Sequence, residues 1–93
     1  MIRIRVSDRA SRDLDRLEGW LLSRGEERAA QRLSELLLKS IGGLHHWPER
    51  GRPTARGGRE LIVSHGRSRY IISYVVLGEE VIVTRLRSGR ERA

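Results

Sequence analysis

A chain of 93 residues with 38% hydrophobic and 33% charged side chains can fill one thin core, and it is too apolar for a disordered coil. Its formal charge is +7, Lys39 is the only lysine among 19 basic residues, and there is no cysteine. Disulfide staples, thiolate nucleophiles and cysteine metal centres are therefore excluded, and no apolar run approaches the roughly 20 residues that cross a bilayer. The opening MIRIRVSDR lacks the apolar block of a signal peptide, so a single cytoplasmic domain spanning 1–93, with no membrane partner, is expected. The charge is uneven. Residues 1–49 carry nine basic and eight acidic side chains, residues 50–93 ten and four, so an acidic partner is expected to meet the second half.

IRIRV at 2–6 puts Ile2, Ile4 and Val6 on one face and Arg3 and Arg5 on the other, as in a strand with one wet face. Ser7 suits an N-cap and Asp8 the first turn of a helix running to about Arg24. Ala10, Leu14, Leu17 and Leu21 make its apolar stripe; Trp20 and Leu22 broaden it. Asp13, Asp15 and Glu18 interleave with Arg9, Arg12 and Arg16, which reads as a solvated, salt-bridged face. Gly25 takes the place of a helix C-cap glycine. Glu26 and Glu27 open a second helix, with Ala30, Leu33, Leu37, Ile41 and Leu44 on one stripe, and Pro48 ends it by Trp47. The short turn makes the pair an antiparallel hairpin.

Residues 47–61, WPERGRPTARGGREL, hold four arginines, three glycines and both prolines. With too little chain on either side for two domains, the stretch reads as an ordered loop from the second helix to the strands, with Trp47 anchoring the helix end. Beyond it the period changes to two. Arg59–Ser64, Ser68–Leu77 and Glu80–Arg87 read as a three-stranded meander. His65-Gly66-Arg67 joins the first pair, and Gly78-Glu79, suited to a type II′ turn, joins the second. By parity Ile82 and Leu86 face one way, and Val81, Val83, Arg85 and Arg87 the other. This predicts an arginine-bearing sheet surface opposite or beside the helices. SGRERA at 88–93 is expected to fray. The fold class is α+β, in the order β-α-α-β-β-β, a helical hairpin on a small antiparallel sheet.

There is no GxSxG, HExxH or P-loop, and no GxGxxG after a strand. His45 and His46 are adjacent at a helix end and cannot both face one metal from a helix, so no metal and no cofactor is expected. His65 reads as a solvated turn residue. The arginines of the second half are the stronger lead: guanidinium groups bind phosphate or carboxylate bidentately and stay charged near neutral pH. They suit an RNA backbone, a phosphodiester transition state or an acidic protein segment, or they serve solubility alone. Tyr70 and Tyr74 share a parity; both suit a core, and one suits a stacking platform for a base.

WPERGRP, GGREL, RYIISYVV and VIVTRLRSGRE, in that order, resemble the ParE/RelE superfamily of type II toxins, and its ParE branch in particular. The carriers are Pro48, Gly51 and Arg52; Arg59, Glu60 and Leu61; Tyr70 and Tyr74; Arg85, Gly89 and Arg90. Ser7, Ala10, Asp13 and Leu14 match the family's first helix. The resemblance implies a toxin neutralised by a cognate antitoxin whose extended, often acidic C-terminal segment wraps the helices and sheet. ParE-like members are taken to inhibit DNA gyrase, with growth arrest and plasmid stabilisation as consequences. RelE-like members cleave mRNA in the ribosomal A site, using basic side chains and often a C-terminal tyrosine or histidine. RLRSGRERA has neither, and Ser88 stands where many relatives carry histidine, so titrating groups for general acid–base catalysis are poorly supplied. Arginines alone can still support such chemistry electrostatically. The gyrase-directed, non-enzymatic reading leads. A ribosome-dependent endoribonuclease with Arg52, Arg59, Arg69 and Arg85 on the phosphates is the alternative. A basic module binding nucleic acid directly is the third reading. The expected partner contacts are Arg50, Arg52, Arg59, Arg69, Arg85, Arg87 and Arg90.

Overall fold

The computed structural model describes residues 2–90. In chain order they form β1 (Arg3–Val6), α1 (Asp8–Ser23), α2 (Glu27–Gly42), a 3-10 turn (Gly43–His45), β2 (Arg52–Pro53), β3 (Arg59–His65), β4 (Ser68–Leu77) and β5 (Glu80–Ser88). The five strands make one sheet in the order β1-β5-β4-β3-β2. The α+β order holds, with two additions. Two residues of the connector pair as β2, and β1 lies parallel to β5, which makes the sheet mixed.

Local chemistry sets the helix ends. The Ser7 hydroxyl accepts the Ala10 N–H at 3.1 Å, and Asp8 occupies the first turn. At the other end Gly25 adopts φ +73°; its N–H reaches Leu22 O at 3.0 Å, and the Glu26 N–H reaches Leu21 O at 3.0 Å. That pair of bonds is a Schellman closure, and the left-handed φ is why glycine stands there. Ala10, Leu17 and Leu21 of α1 and Ala30, Leu33, Leu37 and Ile41 of α2 are buried. They pack with Leu61 and Val63 of β3, Tyr70, Ile72 and Tyr74 of β4, and Val81, Val83 and Leu86 of β5. Both tyrosine rings are core residues, so neither is a stacking platform. His65 ends β3, half-buried beside the Tyr70 ring, and the hairpin tip is Gly66-Arg67.

The sheet is not regular throughout. Ser73 pairs with Arg85, and Tyr74 pairs with Val83, leaving Thr84 as the extra residue of a β-bulge. Parity therefore changes at Thr84. Val81, Val83 and Leu86 all face the helices, and Arg85 and Arg87 face away. The expected grouping of Val81 and Val83 with the two arginines fails for that reason.

The bulge lies where β1 leaves β5. The Ser7 N–H reaches Val83 O at 2.9 Å and the Ser7 hydroxyl donates to Thr84 O at 3.3 Å; the chain then turns into α1. Beyond that point β5 has no neighbouring strand on this edge, and α1 side chains take the place of one. Asp13 Oδ2 accepts the Leu86 N–H at 2.9 Å, and an Arg16 guanidinium nitrogen donates to Leu86 O at 3.4 Å. Asp13 is 4% exposed, so the reading of its charges as a solvated face is wrong at this position.

The connector is ordered, but not by Trp47, which is 61% exposed. The Gly51 N–H donates to Tyr74 Oη at 2.7 Å, and that hydroxyl donates to Pro48 O at 2.7 Å. The Arg59 guanidinium donates to Gly51 O at 2.7 Å and Glu49 O at 3.2 Å. A Cβ at Gly51 would sit 2.7 Å from Tyr74 Oη and 2.9 Å from Glu60 O, so no larger residue fits without movement. Of the stretch expected to fray, Ser88 belongs to β5 and the Gly89 N–H bonds Arg69 O at 2.6 Å. Residues 91–93, with Arg92, lie outside the described residues.

Candidate arginine face for partner binding

The sheet face turned away from the helices carries Glu60, Ile62 and Ser64 of β3, Arg69, Ile71 and Ser73 of β4, and Arg85 and Arg87 of β5, as their pairing with one another dictates. Two depressions lie on it. The first, about 590 Å³, has Thr54 and Arg56 of the connector on one side and Val75, Arg85 and Arg87 on the other. The second, about 310 Å³, is bounded by Arg67 of the hairpin tip, Arg69 and Arg90, with Ile62 and Ile71 beneath.

The two depressions differ in how their cations are held. In the first, carboxylates fix two of the guanidinium groups. Arg85 Nε lies 2.9 Å from Asp13 Oδ2, and Arg87 lies 3.0 Å from Glu60 Oε2. Glu60 also stands 3.7 Å from Arg52. Arg59 lines the same groove, but its guanidinium ties the connector down. In the second, Arg67, Arg69 and Arg90 make no ion pair with any described residue. Gly89 brings two of them together: a Cβ there would lie 3.1 Å from Arg69 O, and its absence lets the chain end of β5 close on β4 beside Arg69.

Of the expected contact residues, the fold unites Arg69 with Arg90, and Arg59 with Arg85 and Arg87. Arg52 reaches the second of these groups through Glu60, which it shares with Arg87, and Arg50 sits on the connector apart from both. Arg56 and Arg67 join the two depressions without having been singled out, and so do the organising acids Asp13 and Glu60. Burial raises the Asp13 pKa, but the Leu86 N–H and then the Arg85 and Arg16 guanidinium groups outweigh it, and the carboxyl ends below its ordinary value. The one signal for Asp13 in the sequence is the Asp-Leu pair of the first helix. Glu60 is visible only as the middle of Arg-Glu-Leu. Among the described residues no cluster of His, Asp or Glu is fit to hold a metal ion. No described helix is long and apolar enough to cross a membrane.

The chain is 44% identical over 87 residues to "Toxin RelE1" of Caulobacter vibrioides, covering 94% of this chain and 92% of that one. It is 36% identical over 92 residues to "Toxin RelE3" of the same organism, covering 99% of each. A solved structure titled "Chromosomal ParDE TA system from P. aeruginosa" superposes with a TM-score of 0.81, covering 95% of this chain and 96% of that one, at 20% identity, and so shares the fold. The family described as "ParE toxin of type II toxin-antitoxin system, parDE" matches residues 4–93. With nearly the whole chain inside that match, this protein belongs to the ParE toxin family of type II toxin–antitoxin systems.

Proposed function

We propose that the chain is a toxin that binds and inhibits DNA gyrase, so blocking replication and growth, and that a cognate antitoxin with an extended C-terminal segment neutralises it. One observation carries the choice of gyrase over RNA. Among the described residues of the arginine face and the junction beside it, the candidate acid–base side chains are already engaged in the fold. The Tyr74 hydroxyl is locked between the Gly51 N–H and Pro48 O. Glu60 is held by Arg87 and Arg52. The surface is equipped to bind, and its described residues offer little for general acid–base catalysis. Purified protein is expected to stop supercoiling by purified gyrase and to leave ribosome-bound mRNA intact. Cut mRNA with unimpaired supercoiling would refute this reading.

A second reading has its own support. Arg67, Arg69 and Arg90 converge without acidic partners among the described residues and suit a phosphate, as a ribosome-dependent mRNA endoribonuclease requires. On that reading Arg69→Ala and Arg90→Ala abolish mRNA cleavage and growth arrest together, with the fold intact by circular dichroism. Growth arrest that survives with no message cut counts against it.

A further inference from the structure

Arg90 stands at the rim of two depressions, one on each side of the sheet end. The first is the 310 Å³ hollow of the arginine face, where Arg67, Arg69 and Arg90 make no ion pair with any described residue. The second, about 390 Å³, opens on the helix side, between Leu17 and Trp20 of α1 and the Tyr70 ring of β4. Its walls are mainly apolar, and its size falls within the range of small-molecule sites. Trp20 is 56% exposed, and the Arg24 guanidinium lies 4.9 Å from its ring centre, which steadies the indole. Ser68, where β4 begins, and Ser88, where β5 ends, line both hollows. One ligand passing over the strand ends would therefore reach the cations on one side and the indole on the other.

We propose that the two hollows together bind one nucleoside di- or triphosphate, with its base in the slot against Trp20 and its phosphate chain on Arg67, Arg69 and Arg90. The proposal goes beyond the toxin's target and does not depend on whether that target is gyrase or a message. Clustered guanidinium groups without acidic partners suit several phosphate charges set close together. The adjoining indole offers a face that a bare phosphate does not use and that a base takes by stacking. A free nucleotide fits better than a nucleic acid strand. Farther along the sheet face a strand would meet Arg85 and Arg87, which Asp13 and Glu60 already hold, with the Glu60 carboxylate in its path. A short polyphosphate ends where the unpaired cations end.

The test uses the full chain carrying Trp47→Phe, so that Trp20 is its only tryptophan. Trp47 is 61% exposed, and the change leaves the core intact. ATP, adenosine, inorganic tripolyphosphate and a short single-stranded oligonucleotide are titrated separately, with affinity read by calorimetry and the slot read by Trp20 fluorescence. ATP is expected to quench Trp20 and to bind about tenfold more tightly than tripolyphosphate, the gain that one stacked base implies. Tripolyphosphate is expected to bind without quenching, and adenosine more weakly than ATP. Arg90→Ala weakens ATP and tripolyphosphate alike, severalfold. Trp20→Leu, a change at an exposed position, lowers ATP to the level of tripolyphosphate and leaves tripolyphosphate unaltered; circular dichroism confirms that both variants fold. The assignment is overturned if ATP binds no more tightly than tripolyphosphate, or binds without quenching Trp20. It is equally overturned if the oligonucleotide quenches Trp20 and binds more tightly than ATP, which would make the hollows part of a strand-binding surface. Binding is read on the protein alone, so its failure leaves the choice of toxin target untouched.

Discussion

At the scale of single residues, polar groups in unusual places do the organising. Tyr74 fills the core with its ring and holds the connector with its hydroxyl. Tyr74→Phe leaves the buried Gly51 N–H unmet, and a loss of about 1–3 kcal/mol follows. For a domain of this size that lowers Tm by roughly 5–15 °C, measurable by thermal unfolding. Gly51→Ala attacks the same junction from the other side, and overpacking against Tyr74 and Glu60 O is expected to destabilise by about 1–3 kcal/mol. Asp13 gives a pH signature. Its folded-state pKa is depressed, so its stabilising contribution is present above the unfolded carboxylate value and is lost as pH falls through the folded one. Asp13→Asn should therefore unfold more readily at neutral pH and show a flatter loss of stability on acidification than the parent. Parallel acid limbs in a pH series of urea melts would disprove it. None of this is visible in the pattern Asp-Leu-Asp-Arg, because burial of one acid among several on a charged helix depends on a strand 72 residues away. Glycine at 51 is conspicuous in the sequence, but the tyrosine that requires it is 23 residues distant.

At the scale of elements, the helices and hairpins are legible because their signals are local. Ser7, Gly25, Gly66 and Gly78 mark ends and turns within a few residues of what they control. The left-handed φ of Gly78, +59°, with no positive φ at Glu79, has the signs of the type II′ turn that the sequence implies. What escapes is pairing. β2 is two residues inside a loop of glycine, proline and arginine. The bulge at Thr84 reverses the inside–outside alternation, and no rule of period two survives an inserted residue. The α1 start ties these features together. Ser7 caps the helix and also donates to Thr84 O at the bulge, so Ser7→Ala removes both contacts. A loss of about 1–2 kcal/mol is expected, at the upper end for a cap, read from urea denaturation. A loss confined to a few tenths would mean the link to the bulge carries no weight.

At the scale of the whole molecule, charge is the property that composition made plain: the excess lies in the second half, and the fold gathers much of it on one sheet face. Association with an acidic partner should accordingly be fast at low salt and slow steeply as salt rises. Replacing exposed Arg56 by glutamate is expected to lower the association rate severalfold and to change dissociation little, which stopped-flow mixing with the antitoxin resolves. An effect confined to dissociation would contradict steering by this face. The candidate site itself was only half legible, since parity could assign arginines to a face but not sort those held by carboxylates from those without acidic partners. The parallel pairing of β1 with β5 has one more consequence. β1 is made before the other strands described here and has its partner in β5, which is made after them, and Asp13 and Ser7 must likewise await β5. A premature stop codon before that strand thus yields a chain with an orphaned edge and a stranded buried acid, fit for proteolysis and not for partial poisoning. A stop codon placed just before β5 is therefore expected to abolish growth arrest altogether, which colony counts after induction of the truncated gene would check.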